Sequence, residues 1–147
     1  MIWLDDFAPG QKYLSNKLRL DAAAIKAFAA QFDPQPFHLD EAAARDSFFG
    51  GLAASGWHTA ALTMRLLVGS DFRPAGGIIG SRADELKWPR AVRPGDELHV
   101  EAEVLEVRAS ESRPGHGFVK CRTTTLNQKG KPVQVLVMNL LVRRKSA

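Results

Sequence analysis

The chain has one cysteine, one tyrosine and no apolar run of membrane-spanning length among its 147 residues. Each shortage closes off a class. Cys121 has no partner for an internal disulfide, and the four histidines are scattered without the spacing of a metal site, so neither a disulfide scaffold nor a zinc centre is expected. A reducing, cytoplasmic setting fits that cysteine usage. Asp5 and Asp6 interrupt the N-terminus before an apolar run can develop, and no basic leader precedes them, so a signal peptide is not expected. A transmembrane helix needs about 20 apolar residues in a row, and none is present. There is no repeat, no low-complexity tract and no long linker, which leaves one domain over residues 1–147.

Chemical motifs are also missing. Ser55-Gly56 is not a nucleophile elbow, because Ala53 stands where that turn requires glycine. No glycine-rich dinucleotide fingerprint and no phosphate loop occur, which sets aside nicotinamide and ATP chemistry; no metal or redox cofactor is expected. The net charge of +4 suits either ordinary solubility or a phosphate-bearing ligand. Its densest piece, Arg143-Arg144-Lys145, reads as a solvated tail. Basic residues are not interleaved with aromatics along one element, so nucleic-acid binding is not expected.

What is present divides in two. In the first half the period is helical. Asp21 reads as an N-cap for a helix whose apolar face is Ile25, Phe28, Ala29 and Phe32. Asp40 reads as the cap of a short second helix. Residues 56–68 form the most apolar run, with Trp57, Ala60, Ala61, Met64, Leu67 and Val68 on one stripe and Leu62 and Leu66 on the other side, the pattern of a buried helix. In the second half the period drops to two. Leu98, Val100, Ala102 and Val104 alternate with polar residues, and residues 118–126 and 133–142 are β-rich, with turns at Pro94-Gly95, Pro114-Gly115 and Asn127 to Gly130. A less regular strand is expected within residues 12–20. Helices followed by strands indicate an α+β domain with one antiparallel sheet covering the helix at 56–68.

The segment from Phe32 to Asp40 carries the chemistry. Pro34 and Pro36 fix their own φ angles and keep Asp33 and Gln35 out of the helical region, so a stiff, extended bend is expected. Asp33 and His38 are its two titratable groups before Leu39, and a carboxylate beside an imidazole is common equipment for moving protons near neutral pH. Taken singly, each is more often a turn former or a structural histidine; the shared bend is what favours a joint role. His58 reads either as a second cleft residue or as a satisfied core histidine. Trp57 and Trp88 read as core rather than pocket wall.

The Asp-x-x-Pro-x-His segment, the Ser55-Gly56 at the mouth of an apolar helix and the Trp88-Pro89-Arg90-Ala91-Val92-Arg93-Pro94-Gly95-Asp96 turn together resemble the MaoC-type dehydratases, the hot dog family that includes R-specific enoyl-CoA hydratases. The resemblance implies a single hot dog domain, its antiparallel sheet wrapped around a long central helix. It implies hydration or dehydration of an enoyl-CoA or 3-hydroxyacyl-CoA thioester. Asp33 and His38 fall on the family's catalytic pair and Gly56 on its backbone oxyanion donor; Gln35, Ser55 and Trp57 fall around them as supporting or pocket residues. Gln35 stands where the family usually has Asn, Ser55 where many members have His, and a serine common near Ala61 is missing. The substrate arm would be the only CoA involved, and a homodimer or dimer-based assembly is implied. Two other readings remain: an acyl-CoA thioesterase, revealed by release of free thiol, and a non-catalytic acyl-CoA binding module, revealed by binding without turnover.

Overall fold

A computed structural model describes residues 1–145. After a 3-10 turn at Leu4–Asp6 come two short strands, β1 (Lys12–Leu14) and β2 (Leu18–Arg19), and then four helices: α1 (Ala22–Phe32), α2 (Pro36–Leu39), α3 (Glu41–Arg45) and α4 (Gly56–Val68). The remaining strands are β3 (Gly80–Lys87), β4 (Glu97–Ala109), β5 (His116–Leu126) and β6 (Pro132–Arg143). The sheet is antiparallel throughout, in the order β1-β4-β5-β6-β3, with β2 also pairing β4. This is the α+β arrangement expected from the change of period. Long strands β4 and β5 alternate buried and half-buried residues along most of their length, because one face meets the helices and the other does not.

Caps set the helix starts. Asp21 accepts from the Ala24 amide at 2.8 Å and Asp40 from the Ala43 amide at 2.9 Å, so both act as the N-caps their positions indicated. Ile25 and Ala29 anchor α1 in the core, each without exposed surface, and burial of a side chain like Ile25 stabilises by about 1.5–3 kcal/mol. Phe32, expected on the same face, is exposed, because the chain leaves the helix there.

The bend behaves differently from its expected extended form. Asp33, Pro34 and Gln35 are non-helical, but Pro36 opens the single turn α2, with Gln35 as N-cap. Proline at the first helical position has the right φ and lacks only an N–H that would have been unpaired. The turn bonds His38 N–H to Gln35 O at 2.9 Å and points the imidazole inward.

Helix α4 is central, as expected, but its burial is one-sided. His58, Thr59, Leu62, Thr63, Leu66 and Leu67 face the core. Most of the stripe read as core instead lies outward: Trp57 is 57% exposed, Val68 is exposed, and Ala60 and Met64 are half-buried. One sheet face can cover only one side of a helix, and much of the other side is left open among the described residues. Trp88, 41% exposed, is likewise not core. The basic end is not a free tail either, since Arg144 lies 3.7 Å from Asp5 and the Arg143 guanidinium sits over the Trp3 ring. No helix among the described residues is long and apolar enough to cross a membrane.

Candidate active site

Four stretches line one cavity of about 300 Å³: α2 through His38, the segment 48–54, the first turn of α4, and residues 88–92; Asp33, at the end of α1, is not part of the lining. His38, only 4% exposed, and Gly56 both line it. The His38 Nδ1–H faces the Ala53 carbonyl at 2.6 Å. A carbonyl oxygen can only accept, so that contact places the proton on Nδ1 and leaves Nε2 as the basic nitrogen of neutral His38. Nε2 lies 3.4 Å from Asp33 Oδ2.

Asp33 ends α1 with φ −153° and ψ 66°, and its backbone accepts from the Gln35 amide at 2.7 Å. Its two oxygens are served separately. Ser55 Oγ donates to Oδ2 at 2.7 Å and Gln35 Nε2 donates to Oδ1 at 2.5 Å. Partial burial pushes the carboxyl pKa up, but the bonds from Ser55 and Gln35 and the field of His38 outweigh it and hold Asp33 below its ordinary value. Asp33 is therefore a carboxylate at neutral pH, an acceptor beside a nitrogen that can take or give a proton.

Ser55 is both cap and ligand. While its hydroxyl hydrogen points to Asp33, its oxygen accepts from the Trp57 amide at 3.2 Å and caps α4. Gly56 lines the cavity, and its N–H, first in the helix, takes no partner among the described residues. An unpaired amide at the positive end of a helix favours an oxygen carrying negative charge.

Several further residues complete the site. Phe49 and Thr59, which the sequence did not single out, form walls, and so does Trp88, the less favoured of its two readings. Thr59 follows Gly56 at i+3 on the same helix face, a spacing that could have found it. Trp88 packs its indole so closely over Gly56 that a Cβ there would lie 2.6 Å from the ring, and its Nε1–H donates to Gln134 Oε1 at 2.9 Å. Gln134 has no exposed surface and donates in turn to Thr63 Oγ1, which contacts Thr125 Oγ1. Arg93 donates from Nη2 to Phe49 O at 2.6 Å and from Nη1 to Gly51 O at 2.9 Å, so one guanidinium holds the segment that delivers the Ala53 carbonyl to His38. Gln35 and Ser55 support Asp33 and do not line the cavity; Trp57 lies outside it, edge-on to Trp88. His58 is a core residue stacked on Phe28 at 4.5 Å, with Nδ1 unpaired among the described residues.

The sequence profile of the MaoC like domain matches residues 6–125. The chain belongs to the MaoC-like dehydratase family. Its fold is similar to that of a MaoC-like dehydratase from Rhodospirillum rubrum, with 56% identity, TM-score 0.95 and complete coverage of both chains. It is also similar to the unliganded R-hydratase PhaJ1 from Pseudomonas aeruginosa, at 29% identity and TM-score 0.77, over 98% of this chain and 87% of that one. Among curated sequences, the uncharacterized protein YdeM of Bacillus subtilis (strain 168) is 31% identical over 141 residues, covering 96% of this chain and 99% of its own. The hot dog architecture of these MaoC-like relatives is the one described above, and the family supports a hydratase or dehydratase role.

Proposed function

We propose that this protein adds water to, or removes it from, the double bond of an enoyl-CoA or 3-hydroxyacyl-CoA thioester. The observation that carries the reading is the 3.4 Å approach of Asp33 Oδ2 to His38 Nε2, with His38 and Gly56 lining one cavity. In hydration, Asp33 and His38 hold a water between them and take its proton as the oxygen bonds to the β-carbon. The displaced electron pair moves to the thioester oxygen, which the Gly56 amide stabilises as an enolate. Return of a proton to the α-carbon completes the addition, and the same steps in reverse expel water. Acid/base chemistry of this kind supplies about 10²- to 10⁴-fold, and one oxyanion donor about 10²- to 10³-fold.

The working unit in this reading is a dimer. Helix α4 carries Trp57 and Val68 exposed, and among the described residues β3 has one edge without a partner strand, so a second copy has both an apolar face and a backbone edge to meet. Sedimentation analysis checks it; a monomer at micromolar concentration would contradict it.

The function is tested by the decay of enoyl absorbance with crotonyl-CoA and longer trans-2-enoyl-CoA esters. Asp33→Asn and His38→Ala are each expected to lower turnover at least about 10²-fold while remaining folded. Near-normal turnover in both overturns the assignment. Thiol release without hydration would reassign the site to thioester hydrolysis, and binding without either to a binding module.

A further inference from the structure

Residues 46–55, between α3 and α4, form neither helix nor strand, yet they supply the carbonyl that meets His38. Ala53 bonds the α2 turn twice: its N–H donates to Phe37 O at 3.4 Å, and its carbonyl accepts from His38 Nδ1 at 2.6 Å. Two adjacent residues outside the segment hold it in place. Val92 O accepts the Ala54 amide at 2.9 Å. Arg93 donates to Phe49 O at 2.6 Å, to Gly51 O at 2.9 Å and to Leu52 O at 3.5 Å. Its guanidinium enters none of the ion pairs among the described residues, so its charge is spent on backbone oxygens alone. The Arg93 backbone is fixed in turn, donating its amide to buried Asp96 Oδ2 at 2.8 Å and accepting the Asp96 amide at 3.1 Å. Arg93 does not line the cavity.

Two acceptors compete for the single ring proton of neutral His38: Ala53 O beside Nδ1, and Asp33 Oδ2 at 3.4 Å from Nε2. With the proton on Nδ1, Nε2 keeps its lone pair and can take a proton from water. With the proton on Nε2, that nitrogen donates to the carboxylate and cannot serve as a base. A carboxylate is the stronger acceptor, so the useful tautomer depends on Ala53 O being held close. We propose that Arg93 is a positioning residue, which clamps the carbonyls of residues 49–52 and thereby keeps the His38 proton on Nδ1. Its planar fork reaches Phe49 O and Gly51 O from two different nitrogens, which a lysine cannot do. The effect on rate rests on the hydration reading above; the effect on the ring does not.

The test pairs ring-nitrogen NMR of the isotope-labelled whole protein with hydration of crotonyl-CoA. At about pH 9, where an ordinary imidazole carries no charge, wild type is expected to show His38 protonated on Nδ1. In Arg93→Ala the proton should move to Nε2, and kcat should fall at least about tenfold while KM changes less than about twofold. A wrong tautomer can cost a histidine-dependent site up to about 10⁴-fold, so the rate is a sensitive readout. Arg93→Lys keeps the charge but donates from one atom; it is expected to fold and to fall between the two in tautomer and in kcat. A merely structural arginine would lower the melting temperature and leave both unchanged. Nδ1–H with wild-type kcat in the folded Arg93→Ala protein therefore overturns the proposal and leaves hydration standing. Should Arg93→Ala not fold, the same result in Arg93→Lys overturns it. A tautomer that moves in Arg93→Ala, with no hydration even by wild type, upholds the clamp and removes the proposed reaction.

Discussion

Gly56→Ala tests how the site is held. The new methyl group would lie 2.6, 2.8 and 2.9 Å from three carbons of the Trp88 indole. Carbon atoms rest at about 3.5–4.0 Å, so the overlap approaches 1 Å along a flat ring. The ring is 41% exposed and can swing outward. Doing so draws Nε1 away from Gln134 Oε1, now 2.9 Å distant, and strands a fully buried amide oxygen. Overpacking costs about 1–3 kcal/mol and an orphaned buried acceptor about 1–3 kcal/mol. Relieving one incurs the other, so the expected loss is about 2 kcal/mol, or about 6 °C in Tm for a chain of this size. In a Trp88→Ala background the indole is gone, and alanine, the better helix former, should be neutral or stabilising by up to about 1 kcal/mol. Thermal melts of the two single variants and the double therefore yield a coupling of at least about 2 kcal/mol. A Gly56→Ala protein that melts with wild type, or strictly additive effects, refutes the packing of Trp88 on Gly56.

Three further outcomes are expected. Ser55→Ala removes the α4 cap, worth about 1 kcal/mol, and a hydrogen bond to Asp33. The stability that Asp33 contributes is full above the unfolded carboxylate pKa and is lost as pH falls through its lower native value, so the variant should move that loss to higher pH. An Asp33 carboxyl resonance that titrates as before would contradict it. Arg93→Ala should lower stability by about 2 kcal/mol and speed amide exchange at Ala54, which is bonded to Val92 O; unchanged exchange would separate Arg93 from the 49–54 segment. Burial lowers the His58 pKa, so its contribution to stability is full above about pH 6.5 and declines as the pH falls. His58→Phe, which keeps the stack on Phe28, should flatten chemical-denaturation stability between about pH 7 and pH 5, and an unchanged slope would refute it.

The fold was legible wherever a pattern is local. Alternation in residues 98–104, the Asp21 and Asp40 caps, and the helix at 56–68 each depend on neighbours in the chain and formed as expected, whereas which side of that helix is buried did not follow the expected stripe. The approach of Asp33 to His38 was legible for the same reason, because two prolines stand among the four residues between them. What fixes His38 was not. The Ala53 carbonyl and the three carbonyls that accept from Arg93 belong to the backbone, which carries no side-chain signature. Trp57 and Trp88 misled because hydrophobicity indicates that a side chain seeks cover, not that the same chain provides it.

The chain of hydroxyls and amides from Trp88 through Gln134 and Thr63 to Thr125 also bears on how the strands find their alignment. Gln134 is paired across the ladder with Thr125, its side chain turned inward. Sliding β6 by one residue would turn Gln134 outward and put an apolar neighbour against the two threonines and the indole N–H. An aliphatic strand would tolerate such a slip at the cost of imperfect packing alone. Here it would strand several buried donors and acceptors at once, so the polar chain works as a key that admits one alignment of the last two strands.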